Sequence, residues 1–333
     1  MSTTVPEATT ESSVSSESLK VTLVDIGLCT FSALLSIFII GSNVITILAI
    51  CKTASLRSIT NAYVASLAVT DIIVGFDLIL AALFMLPNLR AELFYKSIHA
   101  CVLMQVIGVA MPVLSAIHMT FIAVERYMYI CKPYLYPRVV TNRFVSCTLS
   151  IAWTFGLFYA ILLQFTHVPY GEIPLCDITK TLRIECLFYP LSAMYFPVVS
   201  IIVVMYILIL RVALRQTKAI CSTVPSVAGA ISQQGNTGIG DQHKNSKNNA
   251  SRRATLKSVK FFLTVFGVFF VCATPTVVVV GLDFYTTVPP SLYRLFNVIT
   301  FMNSGMNFII YAVQNQQFRA AFLRLAPWNR SRY

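Results

Sequence analysis

Two carboxylates stand inside one apolar run: Asp71, in Leu67-Ala68-Val69-Thr70-Asp71, and Asp77 six residues further on. A lone carboxylate in hydrocarbon is expelled or protonated unless partners surround it, so both positions call for such partners. A second acid, Glu125, is followed by Arg126 and Tyr127 at the end of another apolar run, with Pro133 seven residues after Arg126. A guanidinium there can pair with the adjacent acid at rest, or hydrogen-bond to a partner's backbone once released. The plainer alternative is an arginine snorkelling at a membrane surface. Enzyme chemistry finds no support: the sequence has no His-Glu-x-x-His, Gly-x-Ser-x-Gly or Gly-rich phosphate loop, and its 4 histidines are scattered. His118 reads as a packed, hydrogen-bonded histidine, and the 9 cysteines show no zinc spacing. The chain is therefore read as no enzyme.

The elements that must position these groups follow from composition. The 333 residues are 56% apolar and 11% charged, and the mean hydropathy is +0.73; a soluble surface needs about 25% charged residues. Seven apolar runs, over 25–50, 62–86, 98–130, 143–165, 187–210, 259–282 and 292–311, each approach the ~20 residues a helix needs to cross ~30 Å of hydrocarbon. They are too long and too uniform for barrel strands. The fold expected is an all-α membrane protein: a seven-transmembrane-helix bundle over 25–325, with a disordered tail over 1–24 and a short cytoplasmic tail over 326–333.

The net charge of +12 is a topology signal, and nucleic acid is not an expected partner. Of 25 Lys and Arg, 19 fall in the loops after helices 1, 3 and 5, after helix 7, or at the helix ends beside those loops (Arg126, Arg143 and Lys260). Basic residues are retained in the cytoplasm, which places the N-terminus outside and the C-terminus inside the plasma membrane. The same surface suits membrane lipid or an acidic cytosolic partner. No basic start or separate apolar stretch suggests a cleaved signal peptide. The sequons at Asn249 and Asn329 fall on the inner side, so no N-glycan is expected. The Ser-, Asn-, Gln- and Gly-rich stretch 216–251 reads as a flexible cytoplasmic loop. Cys101 and Cys176 both fall outside, where thiols oxidise; they are the expected disulfide, with Cys186 as the competing partner.

Polar and helix-breaking residues recur in order on all seven helices: Gly41-Ser42-Asn43; Leu67 to Asp71; Glu125-Arg126-Tyr127 with Pro133; Trp153; Pro197; Cys272-Ala273-Thr274-Pro275; and Asn307-Phe308-Ile309-Ile310-Tyr311, followed by an amphipathic segment at Phe318. This set resembles the rhodopsin-like (class A) G-protein-coupled receptors over about Asp25 to Leu325. The resemblance implies an extracellular ligand within the bundle, a heterotrimeric G protein inside, outward motion of helix 6 about Pro275 with Phe269 repacking, and regulation by arrestin and kinases. Glu125, Arg126, Tyr127, Pro133, Asn307 and Tyr311 are the other coupling residues. It also places Asn43, Ser115, Asn303, Ser304 and Asn307 around Asp71, a set of oxygen donors suited to an allosteric sodium ion (Na+) or to a plain polar network; no other cofactor is expected.

The departures shape the reading. Glu125 stands for the commoner Asp, Ala273 for a Trp, Phe308 for a Pro, and Met205 occupies the usual tyrosine position beside Tyr206. With Ala273 there, coupling to the hinge is expected to pass through Phe269 and Phe301. Gly108 occupies the place where amine receptors carry an Asp; Asp77 is a substitute counter-ion or a polar group paired with Arg294. Gln105, Val109, Tyr189, Thr276, Val280, Tyr293 and Asn297 complete the candidate pocket, which suits a small molecule, lipid or peptide equally. No lysine follows Lys260, so a retinal Schiff base on helix 7 is excluded. Arg252-Arg253-Ala254-Thr255 has the form of a basic-directed kinase site, which makes Thr255 the phosphorylation candidate. A transporter or channel is the alternative class; it would favour several intramembrane charges and repeat symmetry, and neither is found. Glycosylation tags inserted before residue 25 are expected to be modified, and tags after residue 325 to stay bare; both ends on one side would overturn this topology.

Overall fold

The computed structural model describes residues 23–84, 98–166, 181–231 and 239–325. Large apolar side chains on several helices face outward, with Ile37, Ile151, Phe158 and Val271 between 59% and 68% exposed. Such a surface is stable against lipid, where only helices that satisfy their own backbone groups can cross. Seven helices are long and apolar enough to do so. They are α1 (Leu23–Lys52), α2 (Ile59–Phe84), α3 (Ile98–Cys131), α4 (Asn142–Phe165), α5 (Ile184–Ile231), α6 (Ile239–Tyr285) and α7 (Pro290–Gln314), and the short α8 (Gln316–Leu325) follows.

The apolar spans lie within a few residues of the runs read from hydropathy. The stretch 216–251 differs from its reading as a loop: α5 continues to Ile231, α6 starts at Ile239, and only 232–238 lie outside the described residues. The physical reason is that polarity does not oppose a helix in water. Ala, Leu, Lys, Arg and Gln in 211–220 and 252–260 are good helix formers, so the backbone ladder extends past the membrane.

Short side chains set the close helix approaches. A Cβ on Gly75 would stand 2.6 Å from Ile40 Cγ1, and one on Gly305 3.0 Å from the Phe38 ring; α1 therefore lies tightly against α2 and α7. The Ser36 hydroxyl crosses the first of these seams and donates to the Gly75 carbonyl at 2.6 Å. On the other flank of α2, Trp153 Nε1 donates to Ser66 Oγ at 3.0 Å, and Ser66 Oγ lies 2.7 Å from His118 Nε2. His118 Nδ1 is 2.8 Å from the Leu114 carbonyl, which can only accept. The ring thus carries its proton on Nδ1 and accepts the Ser66 hydroxyl at Nε2: a buried, satisfied histidine that ties α2, α3 and α4.

Local signals explain the ends. Thr141 Oγ1 caps α4 by accepting from Phe144 N at 3.3 Å. Asn315 Oδ1 accepts from Gln317 N and Phe318 N at 3.0 and 3.3 Å and so starts α8 as a new helix. Phe308 stands where a proline was expected, and its ring sits 6.4 Å from Phe38 on α1 and 4.7 Å from Phe322 on α8. It pins the end of α7 to both neighbours. Gly75→Ala is expected to cost about 1–3 kcal/mol through overpacking at the α1–α2 seam, read as a lower Tm of the detergent-solubilised protein; an unchanged Tm would deny the close approach.

Candidate functional site

Three groups of side chains lie along α3, between its Cys101 end and its Arg126 end. The first is a cavity of about 350 Å³ enclosed by α2, α3, α5, α6 and α7. Of the expected ligand residues, Gln105, Gly108, Val109, Thr276, Val280, Tyr293 and Asn297 line it. Tyr189 does not. On α5 it is Leu187 and Leu191, four residues apart and on one face, that line the cavity. Tyr189, midway between them, is 58% exposed and packs on Phe188 and Phe284, each at 5.5 Å. Asp77 is not a lining residue either; its buried carboxylate abuts the wall at Gly108, with Oδ2 3.0 Å from where a Cβ there would stand. Phe269, Ala273 and Phe301 line the cavity, so the two rings expected to couple ligand to hinge are in contact with it.

The second group is the floor of that cavity, reached at Ser115, Asn303 and Ser304. Asp71 is fully buried behind it. Its Oδ2 accepts from Asn307 Nδ2 at 3.0 Å, while Asn43 Nδ2 donates to the Ile39 and Ser304 carbonyls at 2.9 and 3.2 Å. Three buried oxygens, Asp71 Oδ1, Ser115 Oγ and Asn303 Oδ1, have no hydrogen-bond partner. They come from three helices, and unsatisfied buried oxygens of this kind suit a hard cation or ordered water. Among the described residues no cluster of His, Cys, Asp and Glu could hold a transition metal.

The third group is at the Arg126 end. Arg126 Nε lies 3.2 Å from Glu125 Oε2. Glu125 Oε1 accepts from the Thr60 hydroxyl of α2 at 2.8 Å and from the Tyr136 hydroxyl at 2.7 Å. Thr60 and Tyr136 carry no local sequence signal; only the fold brings them to Glu125. Tyr136 lies in the turn between α3 and α4, where burial first, and the adjacent Glu125 carboxylate with it, push its phenol up to about 12. It therefore remains a donor at physiological pH. Tyr127 packs on Ile209 of α5, whereas Pro133 lies in the exposed connection beside Tyr134, which is 92% exposed. Tyr206 rather than Met205 turns inward, its ring 4.9 Å from Phe266 of α6. Tyr311 stacks on Phe318 at 5.1 Å and faces Phe261 of α6 at 5.7 Å.

α6 joins these levels. Pro275 removes one backbone donor in the helix interior. Beside it the hydroxyls of Thr276 and Thr300 lie 2.6 Å apart, and Thr300 reaches the Cys272 carbonyl at 3.2 Å. A polar seam to α7 thus flanks the hinge. Further along, Gln314 Nε2 donates to Thr264 Oγ1 at 3.0 Å. Cys101 is disulfide-bonded and Cys186 is a free thiol; Cys176 lies outside the described residues, as does the side chain of Thr255.

Comparison with known proteins fits this geometry. The family described as "7 transmembrane receptor (rhodopsin family)" matches residues 42–311. The 5-hydroxytryptamine receptor 4 of Rattus norvegicus is 26% identical over 327 residues, covering 92% of this chain and 77% of the relative. Trace amine-associated receptor 4 of Mus musculus is 27% identical over 294 residues, covering 84% and 79%. The Gq-coupled rhodopsin of Mizuhopecten yessoensis is 25% identical over 303 residues, covering 87% and 57%. The chain belongs to the rhodopsin family of seven-transmembrane receptors, and it is a multi-pass membrane receptor rather than an enzyme.

Proposed function

We propose that the chain binds an extracellular ligand in the cavity between α3, α5, α6 and α7 and activates a heterotrimeric G protein through outward motion of α6 at the plasma membrane. The single observation that carries this reading is the placement of the cavity and the Arg126–Glu125 pair at opposite ends of α3, with Pro275 between them on α6. The N-terminus is extracellular, and Cys101 takes Cys176 as its disulfide partner. Relatives named for 5-hydroxytryptamine and trace amines support a small-molecule ligand, although another relative is a rhodopsin. A transporter or channel is not favoured: beyond Asp71 and Asp77 few ionisable groups line a path through the bundle.

At rest Arg126 is held by Glu125, which Thr60 and Tyr136 hold in turn. Release needs α6 to leave the bundle, which frees Arg126 to meet the G protein's backbone, with the exposed Tyr134 beside it. Arg252 to Lys257 of α6 contain no acid, so this stretch offers Arg126 no second carboxylate. The weaker ties are the Gln314–Thr264 hydrogen bond and the Phe261–Tyr311 ring contact. Asp71, Ser115 and Asn303, with Asn43, Ser304 and Asn307 around them, hold an allosteric sodium ion that stabilises the resting packing through their unpartnered oxygens. Arrestin and kinases act at the cytoplasmic ends of α5 and α6, with Thr255 as the phosphate acceptor. α8, with Arg319 and Arg324 exposed and Phe318 buried, lies on anionic lipid.

Two measurements test this. Ligand-free G-protein activation is expected to exceed that of Arg126→Ala at matched surface expression, because α6 is only weakly held; equal outputs, together with no G-protein binding under any ligand of a broad library, would overturn the reading. Replacing sodium by N-methyl-D-glucamine is expected to raise that basal output, and Asp71→Asn to abolish the sodium sensitivity; insensitivity of the unmodified receptor would leave Asp71 in a plain polar network.

A further inference from the structure

We infer that Asp77 is the anionic anchor of the ligand cavity and that the cavity takes a small cation, an ammonium group carried on an apolar body. The inference rests on the receptor reading above and names the ligand class for that same cavity. Its basis is a paired arrangement of two residues on different helices. Gly108 on α3 lines the cavity and has no side chain; Asp77 on α2 places its carboxylate where that side chain would begin, with Oδ2 3.0 Å and the Phe301 ring 3.8 Å from the missing Cβ. Any larger residue at 108 would push against the carboxylate. The acid thus stands directly behind the cavity wall, in the space the glycine leaves.

Nothing among the described residues satisfies this group fully. Asp77 is 4% exposed, and its Oδ1 has no hydrogen-bond partner. Asp71, one and a half turns away on the same helix, has Asn307 as a donor; Asp77 has no comparable amide. Arg294 also lines the cavity, at another level of α7. It precedes Phe301, the α7 residue level with Gly108, by seven residues, which at 1.5 Å per residue is about 10 Å along the helix. A buried carboxylate without a partner is costly and persists where function compensates it. A ligand cation supplies that compensation through a charge-assisted hydrogen bond in a low-dielectric cavity.

The rest of the cavity fixes the ligand's other properties. Val109, Val113, Leu191, Phe269, Val277 and Val280 make the wall mostly apolar, and the volume of about 350 Å³ lies near the lower limit of about 300–1,000 Å³ for small-molecule sites. A cavity of this size takes a compact aryl-alkyl amine. Gln105 and Asn297 offer amides for a hydroxyl or ring nitrogen on that body.

The test uses the purified full-length receptor with four probes: phenethylamine and tryptamine, and their uncharged analogues 2-phenylethanol and tryptophol. Thermal stabilisation is the binding readout. Either amine is expected to stabilise the receptor at concentrations at which its alcohol does not. Asp77→Asn is expected to weaken amine binding about tenfold or more, and Gly108→Asp combined with Asp77→Ala, which vacates the space beside residue 108 and returns a carboxylate from the facing helix, to restore part of it. Absence of binding by both amines, equal binding of amine and alcohol, or amine binding unchanged in Asp77→Asn would each overturn the inference. If Asp77→Asn does not reach the surface, the amine-against-alcohol comparison on the unmodified receptor decides alone. Arg126-dependent G-protein activation is measured on the same preparation: its presence with failed amine binding sinks only this inference, and its absence, together with no G-protein binding under any ligand of a broad library, sinks the receptor reading itself.

Discussion

Hydrocarbon supplies no hydrogen bonds, and every polar group inside this protein has to find its partner within the bundle. That constraint explains why the described chain is helical, since a helix closes its own backbone bonds. It also explains where the side-chain polarity is. Asp71, Asn307 and Asn43, the Ser66–His118–Trp153 chain, and the Thr276–Thr300 seam all face other helices, while Ile37, Phe158 and Val271 face outward. Among the buried oxygens without a hydrogen-bond partner, those of Asp71, Ser115 and Asn303 belong to the group at the floor of the cavity.

α3 organises the rest. It carries Cys101 and the Gly108 gap at one end, Ser115 and His118 at mid-depth, and the Glu125–Arg126 pair at the other, while α2, α4, α5 and α6 pack around it. A change in the cavity therefore has a short physical route to Arg126. Phe269 and Phe301 touch the cavity and pack in the core, and Pro275 interrupts the backbone hydrogen-bond ladder of α6. The α6–α7 contacts described above, Gln314–Thr264, Thr276–Thr300 and Phe261–Tyr311, are hydrogen bonds and a ring contact, each worth about a kilocalorie per mole. Ties of that size restrain a helix without locking it.

The substitutions that set this chain apart from its family pattern are each matched by a contact elsewhere. Phe308, in place of a proline, joins α7 to α1 and α8 through two rings. Tyr206, one residue from the expected tyrosine position, turns its ring onto Phe266. Gly108, without the acid that the resemblance suggests there, leaves room for the Asp77 carboxylate. Such exchanges conserve a function of space or charge while changing the residue that supplies it.

The sequence by itself determined the seven spans, the basic side and the order of the signature residues, because crossing hydrocarbon imposes a length and an apolarity that survive in a one-dimensional pattern. It also marked Asp71, Arg126 and Pro275, since a charge or a proline in an apolar run stands out wherever it folds. Tyr189 was misplaced because helix phase, and not proximity to the pocket residues, decides which side chain faces inward. The polar composition of 216–251 suggests a loop where α5 and α6 in fact continue, because composition records solvent contact and not backbone conformation. Only the tertiary structure brought Thr60 and Tyr136 to Glu125 and Asp77 to Gly108: these pairs lie on different elements, 65, 11 and 31 residues apart. Contacts between separate elements are set by how helices pack, and packing leaves no periodic trace in the chain.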